Sequence, residues 1–223
     1  MLHKGSGVWT ALSEIIAVHK AIEESRSVML CDVKISDGFD DFYNIFIWPD
    51  FSDAHKESIV LLIDKILKIN NNVCSVDAKC KSHLKENLNR YDLLETIPLK
   101  DHLLRSAIFA LEIAKQEQLK RSIAGMSVII ALGHDIAKCQ KTVKDIYAKS
   151  GEWRHDQMSA IWLKMHLGAY LSAEELEAIY KTIYHHHDRP RQYSSFYADL
   201  LIKADTAARE EEIRIATEKI YAK

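Results

Sequence analysis

The stretch from Ser122 to Gly133 contains no charged side chain and is apolar on nearly every helical face. A helix of this kind must be covered on all sides by other elements. A membrane-spanning helix needs about 20 apolar residues, and this run holds twelve. It therefore reads as the central helix of a globular core. At its end come His134 and Asp135, an imidazole beside a carboxylate at the tip of a buried element. Burying these groups is costly unless something compensates. A divalent cation is one solution, because neutral imidazole and ionised carboxylate are its ligands and an Asp can bridge two ions. Gly133 leaves room for another element to approach the backbone.

Beyond residue 90 the pattern is helical almost throughout. Stretches at 99–118, 122–138, 155–167, 172–186 and 197–219 carry apolar residues at helical spacing. Ser172-Ala173-Glu174-Glu175 is a capping-box signature that fixes the start of the fourth stretch. Seven Gly and three Pro in 223 residues also favour long helices over a turn-rich sandwich.

Before residue 90 the pattern is mixed. Residues 8–24 have helical spacing, 28–35 alternate, Asp37-Gly38 marks a turn, and 42–48 are aromatic and β-branched up to Pro49. Ser52 opens an amphipathic helix that Asn70-Asn71-Asn72 ends, and 73–76 has the composition of a third strand. The expected fold class is mainly α: a helical bundle at 91–223, preceded by a small α+β domain at 1–90.

The net charge of −2 gives no general attraction to nucleic acid or anionic membrane. The basic stretch 79–90 is a solvated linker helix or, alternatively, a nucleic-acid contact. No signal peptide or membrane span is legible at the start. Cys31, Cys74, Cys80 and Cys139 form no C-x-x-C pair, which points to reduced thiols and a cytoplasmic protein.

Seven of eleven histidines lie between 102 and 187. His102 opens the helix before the apolar one, and His155 opens the helix after it. His186 and His187 close the fourth, and Asp205 interrupts the apolar face of the fifth. Five successive helices thus offer ligands, the way helix bundles build metal sites. His3, His19, His55 and His83 read as surface or satisfied core residues, and His166 as a structural residue at a helix end.

The order H…HD…H…HH…D resembles the HD superfamily of metal-dependent phosphohydrolases over about residues 95–210. The carrying pieces are Gly133-His134-Asp135-Ile136-Ala137-Lys138, Ile183-x-x-His186-His187 and Lys203-Ala204-Asp205. The resemblance implies a primary metal site of His102, His134, Asp135 and Asp205. Asp135 would bridge to a second ion completed by His155, His186 and His187. Lys138 matches the lysine that meets substrate phosphate in many members, and Asp135 and Lys138 are the expected catalytic pair. His185 falls outside the register. Asp188-Arg189-Pro190-Arg191 stands where one subclass carries a glycine-rich motif, and His186-His187 where another has His-Thr; the subfamily stays open.

The expected activity is hydrolysis of a phosphate ester of a nucleotide or related small molecule by metal-activated water. Lys138, Arg189 and Arg191 are expected to hold phosphate oxygens. The expected cofactors are divalent ions, two per chain, with Mn, Fe, Mg, Co and Zn all compatible with histidine-rich ligation. The alternatives are a nuclease or conjugative relaxase-associated module acting on nucleic acid, and a non-catalytic metal-binding regulatory domain. Arg105, one turn from His102, is either a partner behind the ligands or a surface charge.

Overall fold

A computed structural model describes residues 51–76, 93–147, 154–188 and 193–221. The chain divides into two compact units, Met1–Ile45 and Phe46–Lys223, and all the described residues belong to the second. The strands expected at 28–35 and 42–48, the basic stretch 79–90, and Arg189 and Arg191 lie outside the described residues.

Among the described residues the order is α1 (Asp53–Leu67), α2 (Leu99–Gln116), α3 (Arg121–Gly133), a 3-10 turn (Ile136–Lys138), α4 (Lys144–Tyr147), α5 (His155–Leu167), α6 (Ala173–Tyr184) and α7 (Phe196–Tyr221). This is the expected helical bundle. Helix α3 is its centre, with every residue from Ala124 to Gly133 buried. Helices α1, α2, α6 and α7 pack around it. Helix α5 comes close at Gly133, where a Cβ would lie 2.5 Å from Leu163 Cδ1. Only a glycine allows that approach.

One helix boundary is corrected. The helix expected over 122–138 stops at Gly133; Asp135 caps the 3-10 turn that follows. The backbone keeps helical angles through His134 and leaves the helical path at Asp135; both side chains are buried in the bundle. Helix α1, which falls within the expected N-terminal domain, packs against α2 and α3. Ser52 caps α1, its Oγ accepting from His55 N at 3.3 Å, but α1 is part of the helical unit. Its inner face (Ile59, Leu62, Ile63, Ile66) is fully buried, and a Cβ at Gly125 of α3 would meet the His55 ring. Amphipathic spacing identifies a face that must be covered and leaves open what covers it.

The strand expected at 73–76 is an isolated antiparallel bridge, Cys74 to Pro98. It is fastened by Ser75 N to Ile97 O (3.0 Å) and Leu99 N to Val73 O (2.8 Å). The capping box at Ser172 and Glu175 forms with both of its bonds. Cys74 and Cys139 are free thiols. No described helix is long and apolar enough to cross a membrane.

Candidate metal centre

The centre lies where the end of α3 meets α2, α5, α6 and α7, and Asp135 is at its middle. The two oxygens of its carboxylate face two different groups of side chains. On the Oδ2 side, His134 Nε2 is 3.4 Å away and His102 Nε2 3.9 Å. Asp205 Oδ1 closes this group at 3.2 Å from His102 Nε2 and 3.9 Å from His134 Nε2. On the Oδ1 side, His155, His186 and His187 bring Nε2 atoms to 3.2, 3.7 and 3.8 Å. Nitrogen and oxygen atoms of His102, His134 and Asp135 lie within 4.8 Å of one another, as do those of Asp135, His186 and His187.

The hydrogen bonds behind these rings fix which nitrogen points inward. His134 Nδ1–H donates to Ala131 O at 2.8 Å, and His186 Nδ1–H to Ile183 O at 2.6 Å. His102 Nδ1–H donates to Glu212 Oε1 at 3.1 Å. Carbonyl and carboxylate oxygens can only accept, so each inward Nε2 of a neutral ring is a lone pair. His102 Nε2 and His134 Nε2 are nevertheless 3.4 Å apart, with carboxylates on either side. Inward lone pairs crowded this closely are unfavourable until a cation is shared among them. Asp135 Oδ1, Asp205 Oδ1 and His186 Nε2 are buried with no hydrogen-bond partner. The donor set therefore fits a divalent ion.

The electrostatics agree. Burial alone would raise the Asp135 carboxyl, but Lys138 and His134 hold it well below the usual carboxylate range. Asp205 is likewise lowered, with His102 overcoming burial. Burial pushes His134 down and keeps its imidazole neutral, as a ligand must be. His102 moves up, since Glu212 and Asp205 outweigh burial and Arg209. His186 is also raised, its hydrogen bond and charge interaction with Asp135 opposing burial.

Some residues of this site were not singled out from the sequence. Glu212 is fully buried in α7 and is flanked by Arg105 (3.0 Å) and Arg209 (3.2 Å). Arg105 is thus a partner behind His102 rather than a surface charge. Arg209 also donates to Ser75 O at 2.9 Å and Ser75 Oγ at 2.8 Å, and it lies 3.7 Å from Asp205. Asp205, Arg209 and Glu212 follow i, i+4, i+7 spacing, the one sequence signal that they share a helix face. Lys138 Nζ donates to Asp135 Oδ2 at 2.6 Å and to Ser75 O at 3.0 Å.

Other histidines take separate roles. His185 pairs with Asp188 at 2.6 Å, outside the centre. His166 donates to Trp162 O and stacks on that ring at 4.0 Å. His55 is buried and bonds Glu175 at 3.0 Å, holding α1 to α6.

A family model described as the HD domain matches residues 99–222, over half of the chain. The chain belongs to the HD-domain family, whose members are generally metal-dependent hydrolases of the phosphohydrolase superfamily. A search of curated proteins and a search of solved structures each return no match.

Proposed function

We propose that this protein hydrolyses a phosphate ester of a nucleotide or a related small molecule, using two divalent ions per chain. His102, His134, Asp135 and Asp205 would hold one ion; His155, His186 and His187 would complete the other with the second oxygen of Asp135. The observation that carries this reading is the division of one buried carboxylate between two groups of inward-facing donors. Bound ions supply charge neutralisation at the phosphoryl group and a water that is deprotonated near neutral pH.

The chain's own residues supply orientation and charge. Asp135 stays ionised because Lys138 and His134 face it. Lys138 is held between Asp135 and the Ser75 carbonyl, in reach of a phosphate that approaches the same carboxylate. Arg209, fixed by Ser75 and Glu212, presents a second cation beside Asp205. Arg189 and Arg191 complete the proposed phosphate contacts. Carbonyl acceptors at Ala131 and Ile183 fix the tautomer of the neutral His134 and His186 rings, so that in the neutral form the inward Nε2 is the lone pair.

Metal analysis of gently purified protein, joined to a phosphate-release screen over mononucleotides, cyclic dinucleotides and single-stranded nucleic acid, tests this reading. Release from mononucleotides that stops on chelation and returns with manganese or iron is the expected result. Turnover that survives verified metal removal overturns it. Cleavage confined to polymers favours the nuclease alternative, and tight metal binding without any release favours a regulatory domain.

A further inference from the structure

A cavity of about 630 Å³ opens beside the metal centre, between the end of α1, the turn after the 3-10 segment, and α5. None of the seven residues assigned to the metals lines it. Among the described residues its charged lining is cationic: Lys65 and Lys68 come from α1, Lys138 and Lys141 from the far wall, and no described carboxylate contributes. Two of these ammonium groups are already engaged. Lys68 pairs with Asp64 at 2.8 Å, and Lys138 is held by Asp135 and Ser75. Lys65 and Lys141 have no ion-pair partner among the described residues.

Lysines scattered on a convex surface are ordinary, because water screens them from one another. Here they converge from two separate elements on a concavity whose low-dielectric walls concentrate the field. On other parts of this unit several exposed cations are balanced singly, Lys164 and Lys181 by Glu177, Lys203 by Glu117, and Arg214 by Glu211 and Glu218, whereas four lysines share this one concavity. Asn70 and Asn72 add neutral amides to the rim, and the Asn70 side chain shapes the turn by accepting from Asn72 N at 3.0 Å. The ligand that suits such a lining is compact and multiply anionic, with oxygens for ammonium and amide donors together.

We propose that this cavity is an anion site, separate from the metal centre, that takes a short run of linked phosphates, free or carried by a nucleotide. Lys65 and Lys141 are its principal ligands, one from each wall. The site does not depend on bound metal, so it stands or falls apart from the hydrolase reading.

The full chain, as purified, is labelled with pyridoxal phosphate and borohydride, and the modified lysines are mapped by peptide mass spectrometry. Labelling should concentrate at Lys65 or Lys141, and pyrophosphate should suppress it there by about fivefold while leaving Lys181 and Lys203 unchanged. Pyrophosphate affinity should fall about tenfold or more in the Lys65→Glu, Lys141→Glu double variant, and by less than about twofold in Lys181→Glu, Lys203→Glu. An adenosine triphosphate analogue that resists hydrolysis, protecting the same lysines better than pyrophosphate, identifies the nucleotide as the source; equal protection identifies the phosphate run alone. Labelling spread evenly over the lysines, or suppressed equally at all four, overturns the proposal. So does an affinity that the cavity pair and the control pair reduce alike.

Discussion

The two sides of Asp135 are built differently. On the Oδ2 side, His102 and His134 are wholly buried, and behind His102 stands a buried carboxylate held by two arginines. On the Oδ1 side, His155 is 17% exposed and His187 42% exposed. A carbonyl orients His186 there, and the imidazoles crowd one another, with ring centroids 3.8 Å apart for His186 and His187. The two buried, braced imidazoles are organised before the cation arrives and cannot swing out to water; Asp205, 31% exposed, is the one ligand of this half that meets solvent. An exposed set can exchange its ion more readily and can admit a substrate. The contrast teaches which half serves as the anchor and which as the working face.

The largest effect belongs to the residue both halves share. Asp135→Ala should lower hydrolysis by a factor on the order of 10⁴ and remove metal from both halves, as measured by elemental analysis. Retention of one full equivalent would break the idea that this carboxylate serves both sides. His186→Ala with His187→Ala comes next. Metal content should fall from two toward one with helicity by circular dichroism unchanged; loss of both ions would mean that the inner half is not the anchor.

Glu212→Gln acts on the inner half, directly through His102 and also through Arg209, which lies beside Asp205. Replacing a carboxylate behind a ligating histidine typically weakens metal affinity by about 10- to 100-fold. The His155, His186 and His187 half should keep its affinity, so a two-site metal titration should show one step moved and the other fixed. Both steps moving together would erase the distinction between the halves.

The smallest effect is a control outside both. Glu175 closes the α6 capping box and bonds His55. Burial would raise its carboxyl, but the Ser172 bonds and His55 bring it below 4.5, its ordinary value. A carboxyl lowered by folding stabilises above its unfolded value, and that contribution fades as pH falls through the lower, folded one. Glu175→Ala should therefore cost about 1 kcal/mol near neutral pH, and less as the medium is acidified below about pH 4.5. Denaturant titrations at pH 7 and pH 3.5 check this; an equal cost at both would assign the effect to packing instead. Metal content should not change.

The sequence makes the bundle and the convergence of donors legible because both depend on periodicity. The apolar face of α5 gives bounds of 155–167, and the structure has the same ones. Periodicity says less about where a helix stops. The break falls at Asp135, whose backbone leaves the helical region, and His134-Asp135-Ile136 contains no Gly or Pro to announce it. Glu212 was hidden for a related reason: in Arg209-Glu210-Glu211-Glu212 it looks like one of several solvated charges. Only the position of the helix axis decides that Glu212 is buried while Glu211 pairs outward with Arg214. The placement of α1 depends on tertiary contact, which spacing along one helix cannot express.

The Ser75 carbonyl receives both Lys138 and Arg209, from points 63 and 134 positions away along the chain. A single oxygen thereby acts as a keystone between the 70–76 turn, the 3-10 segment and α7. The family match begins at residue 99, so a fragment cut at that border would discard the keystone while retaining every metal ligand. In such a fragment both cations lose the acceptor that separates them from the carboxylates, and Lys138 is left with Asp135 alone. The practical border of the HD module therefore runs upstream of the border that homology draws.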